Sequence, residues 1–489
     1  MKTKSTLTML VASLLAGCAA VPHLEPQLAP VQADTLGLGD QVASIDASWW
    51  SGFGDPQLNR LEEMGLAGNP SLDTALARLR SAEALIRVRR ADQLPQIGAD
   101  ASVVHERLSE KSLIPPPYGG TDQTISAVQG ALSWDLDLFG RQRSVVRQAA
   151  ANADAARLDA AAARLAISTS IAQTYVGLAR AERLITVADG FIATRQNALR
   201  YVRSRIKSGL SSEFELRQAE TLAAQAEQAN IRARKQRDLL VHALAALVGR
   251  GADFYPSIAA PTLALDSPPA VPAVLPADLL GRRPDLLAGQ ARIAAAVQGR
   301  AVARADFLPN VNLQALVGLS ALGFGNLFSA GALQGGGGVA IHVPIFEGCK
   351  LKAQYARATA DLDTAVSSYN ETVIGAVRES ADAATNVRSA DEDLAAQGRV
   401  VAGLRETVRL DQVRIRTGLG SQLDAIDSGF RLLEAEQDLV NLQAASLTSR
   451  IQLVAALGGG FDPARPLGAA AASASLTNSP NQPLKGMQP

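Results

Sequence analysis

Two stretches of the chain alternate apolar and polar residues with a period of two. In the later one, Val311, Leu313, Ala315, Val317 and Leu319 alternate with Asn312, Gln314, Leu316 and Gly318. This nine-residue pattern follows a helix-stopping Pro309 and predicts a strand with one apolar face. A glycine-rich loop at Gly335–Gly338 then leads to a second strand carrying Val339, Ile341 and Val343 on one face. The earlier stretch repeats the arrangement. Ile97, Ala99, Ala101 and Val103 mark its first strand, Pro115-Pro116-Pro117 its loop, and Thr124 to Leu132 a weaker second strand. Strands of about 9–11 residues are long enough to cross a bilayer when tilted. The alternation is that of a membrane β-barrel, and equally that of a soluble hairpin buried on one side.

After each strand pair the period lengthens to that of a helix. No proline occurs from about Val145 to Ile206, and Asp159-Ala160-Ala161-Ala162-Ala163-Arg164-Leu165 is strongly helix-forming. A helix of roughly 60 residues would be about 90 Å long. A return helix is marked by Leu222, Ala226, Ala229, Ala233, Leu240 and Leu247 in the first copy. Leu432, Ala435, Leu439, Leu442, Ser446 and Leu453 mark it in the second. Spacings of three and four with many small residues predict a closely packed coiled-coil seam. Between outgoing and returning helices the same turn is written twice, 209 residues apart: Lys207-Ser208-Gly209-Leu210-Ser211-Ser212-Glu213-Phe214-Glu215 and Arg416-Thr417-Gly418-Leu419-Gly420-Ser421-Gln422-Leu423-Asp424. Each has a cation in the last turn, a glycine C-cap, and Ser three residues before an acid, the spacing of a capping box.

The chain is therefore a duplication. Asn69-Pro70-Ser71-Leu72 begins one unit and Arg283-Pro284-Asp285-Leu286 the other; Leu94-Pro95 and Leu308-Pro309 introduce the strands of each. The period is far longer than that of a solenoid repeat. We divide the chain into a signal peptide (1–17), an N-terminal extended segment (18–60), a first repeat (61–250), a proline-rich surface linker (251–282), a second repeat (283–460) and a disordered tail (461–489).

Composition narrows the function. The 47 basic and 47 acidic residues cancel, which argues against nucleic-acid binding. Lys2 and Lys4, the apolar run Leu7 to Leu15 and the small residues before Cys18 read as an export signal whose apolar part is too short to span a bilayer. Leu15-Ala16-Gly17-Cys18 looks like a lipobox, which makes Cys18 the lipid-bearing first residue of the mature chain; the alternative is an ordinary secretory signal with a chance Cys. Ala19 after it fits the pattern sorted to the outer membrane. Cys349 is the one further cysteine, so no internal disulfide is expected in the mature chain, and the four histidines lack ligand spacing, so no metal site or cofactor is expected beyond the lipid. Gly335 to Gly338 lacks the Lys-Ser/Thr of a phosphate loop, and no nucleophile elbow occurs. The chain does not read as an enzyme.

Four strands per chain cannot close a barrel, and open sheet edges are not tolerated in lipid. Strands that cross a membrane thus demand an oligomer. The order of helix, strand pair and long helical hairpin, twice over, is similar to the TolC-like outer-membrane factors, in particular the NodT/OprM-type lipoproteins. The resemblance also rests on Leu15-Ala16-Gly17-Cys18, Trp49-Trp50-Ser51-Gly52-Phe53-Gly54-Asp55-Pro56-Gln57-Leu58, Gly281-Arg282-Arg283-Pro284-Asp285-Leu286 and both tip turns. It implies a mainly α protein with membrane β structure: a homotrimeric duct with a 12-stranded outer-membrane β-barrel continuous with a periplasmic 12-helix α-barrel. It further implies passive efflux of drugs or toxic compounds in a tripartite system, in which an inner-membrane pump and a periplasmic adaptor dock at the helix tips. A protein-secretion duct and a pore-free periplasmic spacer lipoprotein are the alternatives.

The resemblance sorts the tip residues into two roles. Adaptor docking falls on Lys207, Ser208, Gly209, Leu210 and on Arg416, Thr417, Gly418, Leu419, which as plain C-caps would need no partner. Periplasmic gating falls on Asp424 and Asp427. Asp424 has a second explanation as the capping acid. Asp427 lies one turn further on the same face; its counterpart in the first copy is Gln218. The other reading of Asp427 is a solvated helix face. Some family members carry an Arg at the position of Gly420, so Arg414, Arg416 or Arg205 is expected to restrain the aspartates instead.

Overall fold

The structure, a computed structural model, describes residues 21–32, 36, 45–111, 114, 117–266, 269 and 279–462. Cys18, Pro115, Pro116, three of the linker prolines and most of the tail lie outside the described residues. The element order repeats. Helix α1 (Pro56–Gly68) leads into α2 (Pro70–Ala91), strands β1 (Gln96–Arg107) and β2 (Asp122–Leu136), and helices α3 (Arg141–Lys207) and α4 (Glu213–Leu247). After a single turn at Leu279–Arg282 come α5 (Pro284–Ala305), β3 (Asn310–Leu322), β4 (Leu333–His342), α6 (Lys350–Arg416) and α7 (Gln422–Ala456). Corresponding helices have equal lengths: 22 residues in α2 and α5, 67 in α3 and α6, 35 in α4 and α7. Among the described residues no helix is long and apolar enough to cross a membrane.

The chain divides into two compact units. One comprises residues 1–30, 78–156 and 288–370 and contains the sheet, four antiparallel strands in the order β1-β2-β3-β4. The strands are longer than their alternation predicts. The glycine run Gly335–Gly338 is not the loop expected there but part of β4, paired with Val317, Leu316, Ala315 and Gln314. The backbone ladder holds it extended although glycine brings no side chain to pack. Val343 falls beyond the strand end.

The other unit comprises residues 31–77, 157–287 and 371–489. Its main core gathers Trp49, Trp50, Leu58 and Leu61 with Ile171, Tyr175, Leu178, Leu244, Leu447 and Ile451. The segment 18–60 is not extended throughout: a 3₁₀ turn at Trp49–Phe53 precedes α1. Asp55 causes the switch. It caps α1, accepting from the amides of Gln57 at 2.8 Å and Leu58 at 3.4 Å, and Pro56 occupies the first helical position, where its missing N–H costs nothing. The same carboxylate accepts from the Tyr175 hydroxyl at 2.8 Å and from the Thr262 amide at 2.9 Å and hydroxyl at 3.0 Å. Burial works against its charge, but these hydrogen bonds outweigh it and hold the carboxyl below its usual pKa. Thr262 belongs to the segment expected to be a surface linker. There Ile258, Leu263 and Leu265 enter the core, while Pro261 between them favours an extended backbone. Nearby, Glu62 is fully buried with neither carboxylate oxygen hydrogen-bonded, and burial, against the field of Arg164, raises its pKa to about 9; it is a neutral acid at neutral pH.

A duplicated clasp closes each repeat. The Asn69 side-chain amide donates to the carbonyl of Leu247 at 2.7 Å, at the end of α4, while its oxygen caps α2 by accepting from the Ser71 amide at 2.8 Å. In the second copy Arg283 does the same work with a charge. It donates to the carbonyl of Ala456 at 3.2 Å, to Glu379 at 3.0 Å, and through a fork to Asp285 at 3.1 and 2.7 Å. The glycines that follow the two short helices, Gly249 (φ 72°) and Gly458 (φ 94°), lie directly against the carbonyls of Gly68 and Arg282. A Cβ at either position would collide with that backbone oxygen, in a left-handed conformation that only glycine adopts cheaply.

The seam of α4 keeps Ala226 from the expected stripe but not its neighbours. Ala219, Ala223, Ala226 and Asn230 are buried at heptad spacing, and Ala229 is exposed. Sequence spacing alone does not distinguish neighbouring stripes when alanine occupies several of them.

Substituting Gly249 or Gly458 with Ala is expected to destabilise the helical unit by about 1–3 kcal/mol. Gly398→Ala, at an open helical position, should be neutral or stabilising by up to ~1 kcal/mol. Thermal melting followed by helical circular dichroism checks this; wild-type midpoints for both clasp variants would contradict it.

Candidate functional site

Two regions carry the functional geometry, and they lie in different units. The first is the sheet. Strand pairing puts directly opposed residues on one face, so the register defines both faces. One face carries Ile97, Ala99, Ala101 and Val103 of β1, opposite Leu132, Gly130, Val128 and Ser126 of β2. It continues through Ala315, Val317 and Leu319 of β3 to Gly337, Gly335 and Leu333 of β4, with Trp134, Leu313 and Val339 in the next row. Apart from Ser126 and the loop-end pairs His105–Thr124 and Arg107–Asp122, this face is apolar across all four strands, yet Ile97, Val317 (63% exposed), Val339 and Ile341 stand open on the protomer.

The opposite face carries Asp100 and Ser102 of β1, Gln129, Ser133 and Asp135 of β2, Asn310, Asn312, Gln314 and Ser320 of β3, and Gln334 of β4. Its polar groups bond to one another across strands. Asn312 donates to Ser133 at 3.1 Å and to Asp135 at 2.6 Å, and Asn310 donates to Asp135 at 3.3 Å. Exposed aromatic residues stand at both ends of the strands, Tyr118, Phe324 and Phe328 in the loops, Phe139 and Phe346 toward the helices. At the helical end Trp134 donates its indole N–H to the Gln93 carbonyl at 2.9 Å. An apolar exposed face, a polar self-bonded face and aromatic ends are the marks of a membrane barrel wall and not of a buried soluble hairpin. Both edge strands, β1 and β4, offer unpaired backbone groups.

The second region is the pair of tips. Gly209 (φ 72°) and Gly418 (φ 73°) adopt the left-handed C-cap conformation. Both turns are Schellman motifs: Leu210 N donates to Arg205 O at 2.8 Å, Leu419 N to Arg414 O at 2.8 Å, with Gly209 and Gly418 donating to Ile206 and Ile415. Arg205 and Arg414 also reach forward to the carbonyls of Leu210 and Leu419, at 2.8 and 3.4 Å. Lys207, Ser208, Gly209, Leu210, Arg416, Thr417, Gly418 and Leu419 are all exposed. Leu210, Phe214 and Leu419 are 66%, 76% and 75% exposed, large apolar side chains that the chain itself leaves uncovered.

The tips differ in their caps. Ser212 and Glu215 form the full capping box, with the Ser212 amide donating to the Glu215 carboxylate at 2.9 Å and the Glu215 amide to the Ser212 hydroxyl at 3.3 Å. The expected box at the second tip is absent. Ser421 accepts from the Leu423 amide at 3.1 Å, and Asp424, one methylene shorter than Glu, makes no hydrogen bond or ion pair among the described residues. Its exposed carboxylate is thus free of the capping role.

Asp427 lies on the same face of α7, exposed and paired with Arg431 at 2.9 Å. Neither Arg205, Arg414 nor Arg416 restrains the aspartates within the chain. Arg205 and Arg414 hold their own turns, and Arg416 donates to the Gln412 carbonyl at 3.3 Å. A residue outside the expected set does approach: Arg195 of α3 lies 3.8 Å above the Phe430 ring and feels the charges of Glu434 and Asp427. Burial pulls the pKa of its guanidinium down, and those two acids oppose the shift. The Asp427–Arg431 pair was readable from i,i+4 spacing; Arg195 was not, because only the packing of α3 on α7 brings it there.

Among the described residues no group of three or more His, Cys, Asp or Glu side chains is placed to hold a metal ion. Cys349 is exposed, with φ 64°, in the turn before α6.

Comparison with known proteins agrees with this geometry. The sequence profile described as "Outer membrane efflux protein" matches residues 62–250 and 275–459. The solvent efflux pump outer membrane protein SrpC of Pseudomonas putida is 33% identical over 94% of this chain and 99% of its own. The fusaric acid resistance protein FusA of Burkholderia cepacia is 34% identical over 73% of this chain and 70% of its own. The crystal structure of the outer membrane protein VceC from Vibrio cholerae superposes with a TM-score of 0.78 at 33% identity, over 86% of this chain and all of VceC. The chain belongs to the outer membrane efflux protein family, and its fold is that of a TolC-like outer-membrane channel.

The face assignment predicts an asymmetric response to charge. Val317→Arg is expected to cost about 2–4 kcal/mol near the bilayer midplane, whereas Gln314→Arg on the polar face should be tolerated. Recovery of heat-modifiable protein from outer membranes measures the difference; equal losses would contradict the assignment.

Proposed function

We propose that three copies of this chain close a 12-stranded barrel and form the outer-membrane exit duct of a tripartite efflux system. The observation that carries this reading is the four-stranded sheet, with one exposed apolar face, one polar face and two open edges. Four strands are too few to close, and twelve enclose a lumen wide enough for water. The polar face then lines the passage and selects little. Relatives named for solvent efflux and fusaric acid resistance support small toxic organic compounds as cargo. The duct itself performs no chemistry in this reading; energy comes from an inner-membrane pump joined through a periplasmic adaptor. The uncovered Leu210, Phe214 and Leu419, beside Lys207 and Arg416, support the tips as the adaptor's docking surface.

The reading includes a lipid anchor on Cys18. Val21 packs on the cluster of Ala303, Phe307 and Tyr355, immediately before β3 begins at Asn310. Gln27 and Leu28 donate their amides to Asp363 at 2.8 and 3.1 Å, and the Ala29 carbonyl accepts from Asn370 at 3.0 Å. Three residues span at most about 10 Å, so a lipid on Cys18 would reach the end of the sheet where a bilayer surface lies. The mass of the mature N-terminal peptide tests the anchor: acylated Cys18 supports it, and an unmodified peptide contradicts it.

Asp424 and Asp427 complete the reading as the periplasmic gate. In a trimer each supplies three like charges, held near one axis only while the tips are restrained. Replacing both with Ala is expected to raise single-channel conductance in planar bilayers. Unchanged conductance would sink the gate assignment while leaving the duct intact.

A further inference from the structure

Each helical hairpin is zipped by ion pairs of its own. Arg203 of α3 meets Glu220 of α4 at 3.2 Å, and Arg405 of α6 meets Glu436 of α7 at 2.9 Å. Such pairs keep a hairpin together but do not tie one hairpin to the other. A different cluster does. Phe191 and Arg195 of α3, one turn apart, both meet Phe430 of α7, the rings edge to face at 5.2 Å and the guanidinium 3.8 Å above the ring. Immediately before Phe191, Gly190 lets the helices close, since a Cβ there would lie 3.0 Å from the Leu433 side chain. On α7, Asp427 and Glu434 flank Phe430 at helical spacing, and the charge of each acts on Arg195.

Thr194, Asn197, Gln412, Ile415, Ala425 and Ile426 line an open groove of about 470 Å³. Thr194 and Gly429, the residues next to Arg195 and Phe430 in sequence, line that groove. Arg431 differs in kind: it rides on the same helix as Asp427, so it offsets the charge without fastening it to anything that would stay behind. Gly420 offers no side chain, and a Cβ there would crowd Arg414 at 2.9 Å.

We propose that Arg195 is the basic restraint on the gate, a positioning residue that holds α7, and with it Asp427, against α3 through the face of Phe430. This rests on the reading of Asp427 as a gate residue. A cation over an aromatic ring is a fitting latch: it holds without a buried salt bridge, and it reopens to water at modest cost. The first repeat has no equivalent, because Thr221 stands where the second has Phe430 and Gln218 where it has Asp427.

The test uses the full-length trimer in planar bilayers, with assembly checked by heat-modifiable migration. Arg195→Ala and Phe430→Leu are expected to raise open probability about three- to thirty-fold, the population equivalent of losing one such contact. Arg195→Lys should fall between them and wild type, and Arg431→Ala should stay near wild type. If Asp427→Asn opens the channel while Arg195→Ala and Phe430→Leu do not, the gate stands and the latch is overturned. If Asp427→Asn also leaves the channel closed, the gate reading fails and takes the latch with it. Should Arg195→Ala not assemble, Phe430→Leu and Arg195→Lys decide the question.

Discussion

Backbone hydrogen bonds that cannot be left open in lipid govern this protein. Inside a bilayer no water replaces a missing partner, so each unpaired N–H or C=O costs several kcal/mol. The chain brings four antiparallel strands to that environment and leaves the outer edges of β1 and β4 unpaired. Every larger feature of the proposal answers this deficit. Closure by further copies supplies the missing partners, and closure also sorts the two faces. Without it, the exposed apolar face that carries Ile97, Val317 and Val339 would have no more reason to meet lipid than the polar face that carries Gln129, Asn312 and Gln334 has to meet water.

The helical unit solves a different problem, holding very long helices in register. Two helices of 67 residues, about 100 Å each, cannot be aligned by a coiled-coil seam of alanine alone, since neighbouring alanine stripes pack almost equally well. The clasps remove that freedom. Asn69 and Arg283 each bond the terminal carbonyls of the returning helix, and Gly249 and Gly458 bring the backbones into contact beside them. The Asp55 hub adds a cross-connection, joining the start of α1 to α3 through Tyr175 and to the inter-repeat segment through Thr262. Duplication makes the two repeats alike, and departures from likeness carry the functional detail: a capping box at one tip, the uncapped Asp424, the Asp427–Arg431 pair and the Phe430 cluster at the other.

Much of this was legible in the residues. Period-two alternation at Val311–Leu319 located β3, prolines 95 and 309 marked the helix-to-strand changes, and the twin Gly-Leu turns located both tips. What escaped had physical causes. The run Gly335–Gly338 has no side chains to alternate, so only its ladder with β3 reveals a strand. Asp424 sits at capping-box spacing, but its side chain is too short to close the box that Glu215 closes. The segment after Arg250 reads as a proline-rich linker, yet Ile258, Leu263 and Leu265 are apolar residues with a core to enter, which composition alone does not show. Arg195 and Phe430 are 235 residues apart, and no local spacing connects them.

The number of chains in the assembled particle tests the central claim most directly. Native mass spectrometry of the protein extracted from outer membranes in mild detergent should give three copies of the mature chain, dissociating on heating. A stable monomer, its sheet edges left open, would contradict the account.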